Sequence, residues 1–458
     1  MATLRTYFSG LKRPYQLVWL VIISLTLLLL GGIAANVSPW LRGPEEWRWA
    51  YAIPGNWTRH LIPLAAIASY AALVYWAAKK LGKRERPSRR HLFLYLLFCT
   101  LAIPIVQLAL LAAESPNVVE QLYFRTVSWG SSGFFSTASI INNPGDFLRN
   151  YPELMPSFPV HPQRYPPGIP LLIYAAKTPL EWLGVAGNLG SSLRLYQCLD
   201  LTLMRIPNGM MAAAAVQMAL PFLSAWVIFP LFGLARRTLG EQTAVWTVAL
   251  YPLVPSFALW AGRWDQFFPL LAVLAWYLLV RALLEGDRPL PCLAGLVLGV
   301  ASLLSFGLVT MLAPMGLWAI FYLWGQRNGR TAWQLIQQNM VNGLFFALGL
   351  VSLWAVMQLF FGTGFLEIWR VSMSFHLGLG RSYWTWLGYH LYDFGLFLAV
   401  PLALLCLLTF GRALRSAFRY DESPSRAPTG IPSSRLHCVT YLRGLDGELP
   451  QDQGKQDQ

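Results

Sequence analysis

Lys79-Lys-Leu-Gly-Lys-Arg-Glu-Arg-Pro-Ser-Arg-Arg90 is a dense run of positive charge standing between two apolar stretches, Leu61 to Ala78 and His91 to Ala113. Each flank is close to the ~20 apolar residues that cross the hydrocarbon core of a bilayer as a helix. A basic cluster in a short loop between two spans marks the cytoplasmic side. The first flank therefore arrives in the cytoplasm and the second leaves it. Upstream, Arg5, Lys12 and Arg13 precede another apolar run, Tyr15 to Asn36, so the N-terminus is also cytoplasmic and the loop Val37 to His60 is external. That first run is too long for a signal-peptide core and is read as an anchor.

Composition agrees. The chain has 458 residues, 55% hydrophobic and only 12% charged. Its net charge of +14 comes from short basic clusters between apolar runs, which read as topology signals and headgroup contacts and not as a nucleic-acid surface. The five cysteines have no metal-ligand spacing and suggest no disulfide framework. These features predict an all-α polytopic membrane protein of about 10–12 transmembrane helices with two large external loops. The reading makes it a multi-pass protein of the plasma membrane with both termini cytoplasmic.

Parity orders the rest. Arg236 and Arg237 follow the apolar run Gly209 to Ala235, which therefore travels inward. Between Pro167 and Gly209 the chain must cross an even number of times, either as two short spans or with Gly168 to Leu183 re-entrant. Gln242 to Trp260 then goes out and Phe267 to Leu284 returns. Leu290 to Trp324 is a helical hairpin turning near Ser305-Phe-Gly307, Met340 to Phe361 goes out, and Phe394 to Leu408 comes back. Three regions result: 1–90, a two-span extension whose external loop carries Glu45 and Glu46; 91–411, a membrane core with external loops 114–168 and 362–393; and 412–458, a polar cytoplasmic tail expected to be disordered.

The densest polar punctuation lies in Gly145 to Gly168, where prolines at 152, 156, 159, 162, 166 and 167 forbid a continuous helix. A loop so rich in Asp, Glu, His, Arg and Tyr has the composition of a site. On this layout the polar residues concentrate externally: Glu45, Glu46, Glu114, Asp146, His161, Arg164, Tyr165, Asp265, His376 and Arg381. A carboxylate can take a proton from a hydroxyl, and a nearby guanidinium can stabilise a phosphate as its charge develops. The candidate catalytic carboxylates are Glu46, Glu114 and Asp146. The candidate substrate-binding residues are Glu45, His161, Arg164, Tyr165, Asp265, His376 and Arg381. No nucleotide, phosphate-loop or zinc-protease fingerprint is present.

A span ending in an acid, an external segment, and then Arg164-Tyr-Pro-Pro-Gly168 opening the next apolar run resembles the C-type (GT-C) glycosyltransferases. These include the protein O-mannosyltransferases, the aminoarabinose transferases and their Rgt-like bacterial relatives. The resemblance covers roughly 90 to 410. Two features depart from the family pattern: Glu114-Ser-Pro lacks the Asp-Glu pair, and two spans precede the core, with the nearest acid pair at Glu45-Glu46. The resemblance implies a sugar carried on a polyprenyl phosphate as donor, a glycan, lipid or protein as acceptor, and transfer at the external face. No cofactor follows from the residues, a divalent metal ion being the one left open. The alternatives are a polytopic transporter or a non-catalytic envelope polysaccharide assembly protein. A transporter would favour charged or broken helices at the midplane and paired repeats, of which the sequence has little sign.

Overall fold

The computed structural model describes residues 13–53, 55–82, 88–196, 201–326 and 331–419. Every element among them is helical. Seven helices are long and apolar enough to cross a bilayer: Gln16–Ala34, Trp57–Gly82, Arg89–Glu114, Asn208–Leu239, Trp264–Glu285, Phe306–Gly325 and Ala332–Phe361. An eighth arises if Tyr383–Leu398 and Val400–Arg415, bent by 111°, form one broken span. The protein is an all-α polytopic membrane protein whose partner is the lipid bilayer. The count is smaller than about 10–12 because some crossings are carried by pieces too short or too broken to qualify alone.

The stretch expected to cross from Gln242 to Trp260 is such a case. Pro252 and Val254-Pro255 interrupt it, because proline has no N–H to donate and drives Val254 into extended geometry (φ −68°, ψ 119°). Helices Glu241–Leu250 and Pro255–Ala258 are what remain. The interrupted strip nevertheless runs beside Arg89–Glu114. The Tyr95 hydroxyl donates to the Val245 carbonyl (2.9 Å), and the Gln107 amide donates to the Phe257 carbonyl (2.8 Å), both contacts offset by 150 residues. An equal offset at both points means that the two segments advance in the same direction, over ~18 Å of helix rise. Tyr70 of the neighbouring span donates to the Ala249 carbonyl (2.8 Å). Ala249 and Phe257 lie in the last turns of their short helices, where carbonyls lack intrahelical donors.

Pro289–Leu304 is 16 residues long and runs parallel to the Ala332–Phe361 helix: Gly295 lies on Phe346, Gly299 on Leu350, and Ser302 accepts from the Trp354 indole (2.7 Å). Helices in lipid associate through close packing. A Cβ at Gly295 would lie 1.9 Å from the Phe346 carbonyl oxygen, so the approach of these two backbones requires glycine there. Leu312–Gly325 returns without packing along Pro289–Leu304, so the hairpin expected over Leu290 to Trp324 is open and has the turn Phe306–Met311 at its tip.

Between Pro167 and Gly209 the described residues hold no helix long and apolar enough to cross a bilayer by itself. Gly168–Trp182 has 15 residues and Ala186–Arg194 has nine. Both pack on Asn208–Met218, with Glu181 against Gly209 and Gly190 against Asn208. Neither helix reaches the length that a crossing needs.

The chain divides into two compact units, Met1–Ile53 with Arg381–Gln458, and Pro54–Gly380. This division does not coincide with the boundary expected at 90. Leu61–Gly82 instead belongs with the larger unit through its packing on Arg89–Glu114 and Glu241–Leu250, as Tyr70 illustrates. In the smaller unit Tyr389 and Tyr392 donate to the carbonyls of Trp40 and Leu41 (2.9 and 2.8 Å). The stretch 362–393 is mostly helix, Phe365–Leu377 and Tyr383–Leu398, and not an open loop. Val400–Arg419 continues past the expected tail boundary at 412; the rest of the tail, from 420, lies outside the described residues, as do the charges at 83–87.

Replacing Gly295 by Val forces extra volume between two backbones already in contact. Thermal unfolding in detergent should show a loss of ~1–3 kcal/mol relative to wild type. An unchanged midpoint would mean that the two helices are free to separate.

Candidate functional site

Pro116 ends the Arg89–Glu114 span, because the residue before a proline is driven out of the helical region and Ser115 is extended (φ −139°, ψ 144°). Asn117 then caps a new helix, Val118–Val127, by accepting from the Glu120 amide (3.1 Å). Gln121 and Arg125 stand four residues apart on one face of it. Both reach back to Glu114: the Gln121 amide donates to one carboxylate oxygen (2.5 Å) and Arg125 forms an ion pair with the other. Arg125 also donates to the Ala261 carbonyl (2.9 Å), which fastens the end of this span to the turn that precedes Trp264–Glu285.

That turn is held by a buried amide. Gln217 is fully buried; its Nε2 donates to the carbonyls of Gly262 (3.1 Å) and Arg125 (3.4 Å), and its Oε1 accepts from the Trp264 indole (2.9 Å). Arg263 leaves the turn and donates to the Ser131 carbonyl. Next to Ser131, Gly133 adopts φ +70°, and a Cβ there would lie 2.3 Å from Pro159, so the 128–133 loop sits directly on the proline-rich loop. The latter is fixed by its own backbone: the Ser372 hydroxyl donates to the Arg164 carbonyl (2.8 Å) and the Tyr151 hydroxyl to the Tyr165 carbonyl (2.9 Å). The Tyr165 ring meets Phe134 edge-on at 5.2 Å.

Electrostatics shows which side chains face one another. The His161 imidazole is held below its ordinary value chiefly by burial, with Arg263 and Arg164 adding to the effect and Asp265 opposing it. Burial raises the Tyr165 phenol, and the Asp265 charge raises it further. The Arg263 guanidinium is lowered by burial and then by Arg125, against the pull of Asp265 and Glu114. One cluster therefore contains Glu114, Arg125, His161, Arg164, Tyr165, Arg263 and Asp265. Solvent reaches Asp265 and His161 while protein crowds His161 from other sides, as on the wall of a cleft. Among the described residues no ion pair closes on Asp265, whereas Glu114 is engaged at both oxygens. The two aromatic residues flanking this turn, Trp264 and Phe267, line an apolar groove of ≈ 380 Å³ with Leu172, Val216, Leu220 and Leu223.

Five of the ten residues singled out from sequence meet here. Asp146 instead pairs with Arg149 at 2.9 Å on an exposed short helix, a contact that accounts for it. His376 lies exposed in the last turn of Phe365–Leu377. Glu45, Glu46 and Arg381 belong to the smaller unit. There Glu45 and Glu46 are exposed in the turn Glu45–Trp47, and the Arg381 guanidinium lies against the indoles of Trp47 and Trp386, at 4.8 and 4.3 Å. Sequence reasoning did not select Arg125, Arg263 or Gln217 for the site. The available signal for Gln217 was an amide alone in the apolar run Gly209 to Ala235, a position where polar side chains are costly and tend to have a task. No three His, Cys, Asp or Glu side chains come together among the described residues to hold a metal ion. Compared with protein-family models, with curated proteins and with solved structures, the chain matches none.

The lowered value of His161 has a fixed sign in stability. Folding disfavours its charged form, so this penalty is absent above the unfolded value near ~6.5 and grows as the pH falls through and below it. Thermal unfolding of wild type and His161→Gln between pH 7.5 and 5 should show wild type losing stability relative to the variant on acidification. Parallel curves would mean that folding makes this imidazole no harder to charge.

Proposed function

We propose that the protein is a membrane glycosyltransferase that moves a sugar from a polyprenyl-phosphate donor to a hydroxyl acceptor at the external face of the plasma membrane. The observation that carries this reading is Asp265, a solvent-reachable carboxylate with no ion pair among the described residues, within electrostatic reach of His161 and Arg263 and beside an apolar groove. The resemblance of Arg164-Tyr-Pro-Pro-Gly168 to the GT-C pattern supports it from the sequence side.

In the reaction, an acceptor oxygen bonds to the anomeric carbon as the bond from that carbon to the phosphate oxygen breaks. The acceptor proton passes to Asp265, and the electron pair leaves with the phosphate, which gains one negative charge. Arg164 and Arg263 face that developing charge, and charge-assisted contacts to phosphate are among the stronger hydrogen bonds. His161, kept neutral by its surroundings, can donate or accept a hydrogen bond without adding charge. Glu114 orients Arg125, so its role in this reading is positioning, and we take Asp265 as the base ahead of the candidates Glu46, Glu114 and Asp146. The groove at Trp264 and Phe267 gives an isoprenoid chain an apolar surface next to the phosphate position.

The test is transfer of radiolabelled sugar from polyprenyl-phosphate donors in membranes carrying each variant. Asp265→Asn keeps the shape and removes the proton acceptor, so transfer should fall ~100-fold or more. Arg263→Gln should raise the donor concentration needed, while both proteins still insert. Full transfer by both variants would put the site elsewhere; no transfer by wild type with any such donor would end the glycosyltransferase reading.

A further inference from the structure

A second groove, of ≈ 400 Å³, opens where the Ala332–Phe361 helix turns at Gly362 into Phe365–Leu377. Its floor is apolar, built from Val351, Trp354, Ala355 and Phe365, and Glu367 and Arg370 stand at its rim. The long helix around it is lipid-facing: Leu348, Val351 and Leu359 are 64%, 54% and 79% exposed. The turn at its end brings the rim to the depth where a span gives way to headgroups. Glu367 and Arg370 are both exposed and one helical turn apart, a spacing at which opposite charges commonly pair. No ion pair among the described residues engages either of them.

We propose that this groove binds one zwitterionic phospholipid. An acyl chain lies along Val351 and Ala355, the headgroup ammonium meets Glu367, and the phosphate meets Arg370. A bilayer supplies such a molecule to every lipid-facing groove, and the two rim charges are what select among lipids. Arginine suits phosphate, and a carboxylate accepts the donors of a primary ammonium. An anionic lipid without an amine would meet the guanidinium but also the uncompensated charge of Glu367. The Phe365–Leu377 helix also carries Ser372, which holds the Arg164 carbonyl, so a lipid seated here braces the element that supports the proline-rich loop.

The experiment is native mass spectrometry of the purified full chain in detergent mixed with phosphatidylethanolamine or with phosphatidylglycerol of the same acyl chains. Wild type should retain one phosphatidylethanolamine about tenfold more readily than phosphatidylglycerol, the size expected from one charge-assisted contact. Glu367→Gln should abolish that preference, and Arg370→Gln should weaken both lipids. Ala355→Trp, which fills the groove from its apolar side, should lower retention independently of charge. Thermal unfolding without added lipid checks that the variants fold. Equal retention of the two lipids by wild type, or unchanged retention in the three variants, would overturn the proposal. Displacement by undecaprenyl monophosphate, equally from wild type and Glu367→Gln, would also overturn it and make the groove a seat for a lipid phosphate.

Discussion

The buried amide of Gln217 is the contact on which the larger unit's polar end depends. Two chain segments that are far apart in sequence present three groups needing partners inside an apolar bundle: the carbonyls of Arg125 and Gly262 and the indole N–H of Trp264. One side chain with two donors and an acceptor satisfies all three. An apolar residue in its place would leave the Gly262 carbonyl and the Trp264 indole without this partner, each costing about 1–3 kcal/mol, while the Arg125 carbonyl would keep the Ser131 hydroxyl (3.2 Å). The direction of Arg125 and of Arg263 from the two sides of this junction follows, and with it the field around Asp265.

The same rule, that polar backbone inside lipid must find a partner within the protein, explains why side chains populate the interior of the bundle. Tyr70, Tyr95 and Gln107 are buried and polar in spans that otherwise read as apolar, and each donates to a carbonyl of the interrupted strip. At the end of the spans opposite the cluster, Glu285 joins Arg237 and Arg281, fastening Asn208–Leu239 to Trp264–Glu285. These exposed pairs contribute little singly. Ion pairs thus stand at both ends of the bundle, and the satisfied amide network of Gln217 is at the end that also holds Glu114 and Arg125.

The spans were legible in the sequence because apolar length is a local property, and the loop around Arg164 because six prolines within a few turns admit no continuous helix and leave only short turns of it. His161, Arg164, Tyr165 and Asp265 could be selected as candidates for the same reason: each is a polar residue at the edge of an apolar run. What could not be read was pairing. Arg125 looks like a headgroup contact until its distance of eleven residues from Glu114 is folded across Pro116 into an ion pair. Gln217 bonds with partners 92 and 45 residues away, which no local pattern encodes. Gly168 to Pro207 could not be placed for a different reason, since it buries Ile169, Ile173 and Leu193 against the protein while Trp182, Leu183 and Leu195 stay exposed, a mixture with the composition of a short span. The stretch 362–393 read as loop because its helices mix charges and aromatics in a way that interfacial helices share with connectors.

The strip from Glu241 to Ala258 also constrains how the protein is made. A segment broken at Pro252 and Pro255 exposes carbonyls that hydrocarbon cannot solvate, so it has no stable position in lipid by itself. The residues that complete it, Tyr70, Tyr95 and Gln107, are synthesised well over a hundred residues earlier. By the time the strip leaves the ribosome its acceptors already have donors waiting in the membrane. Insertion in chain order thus gives the strip its partners at once, whereas the reverse order, as in a circular permutant that places the strip first, would leave a half-helix without them.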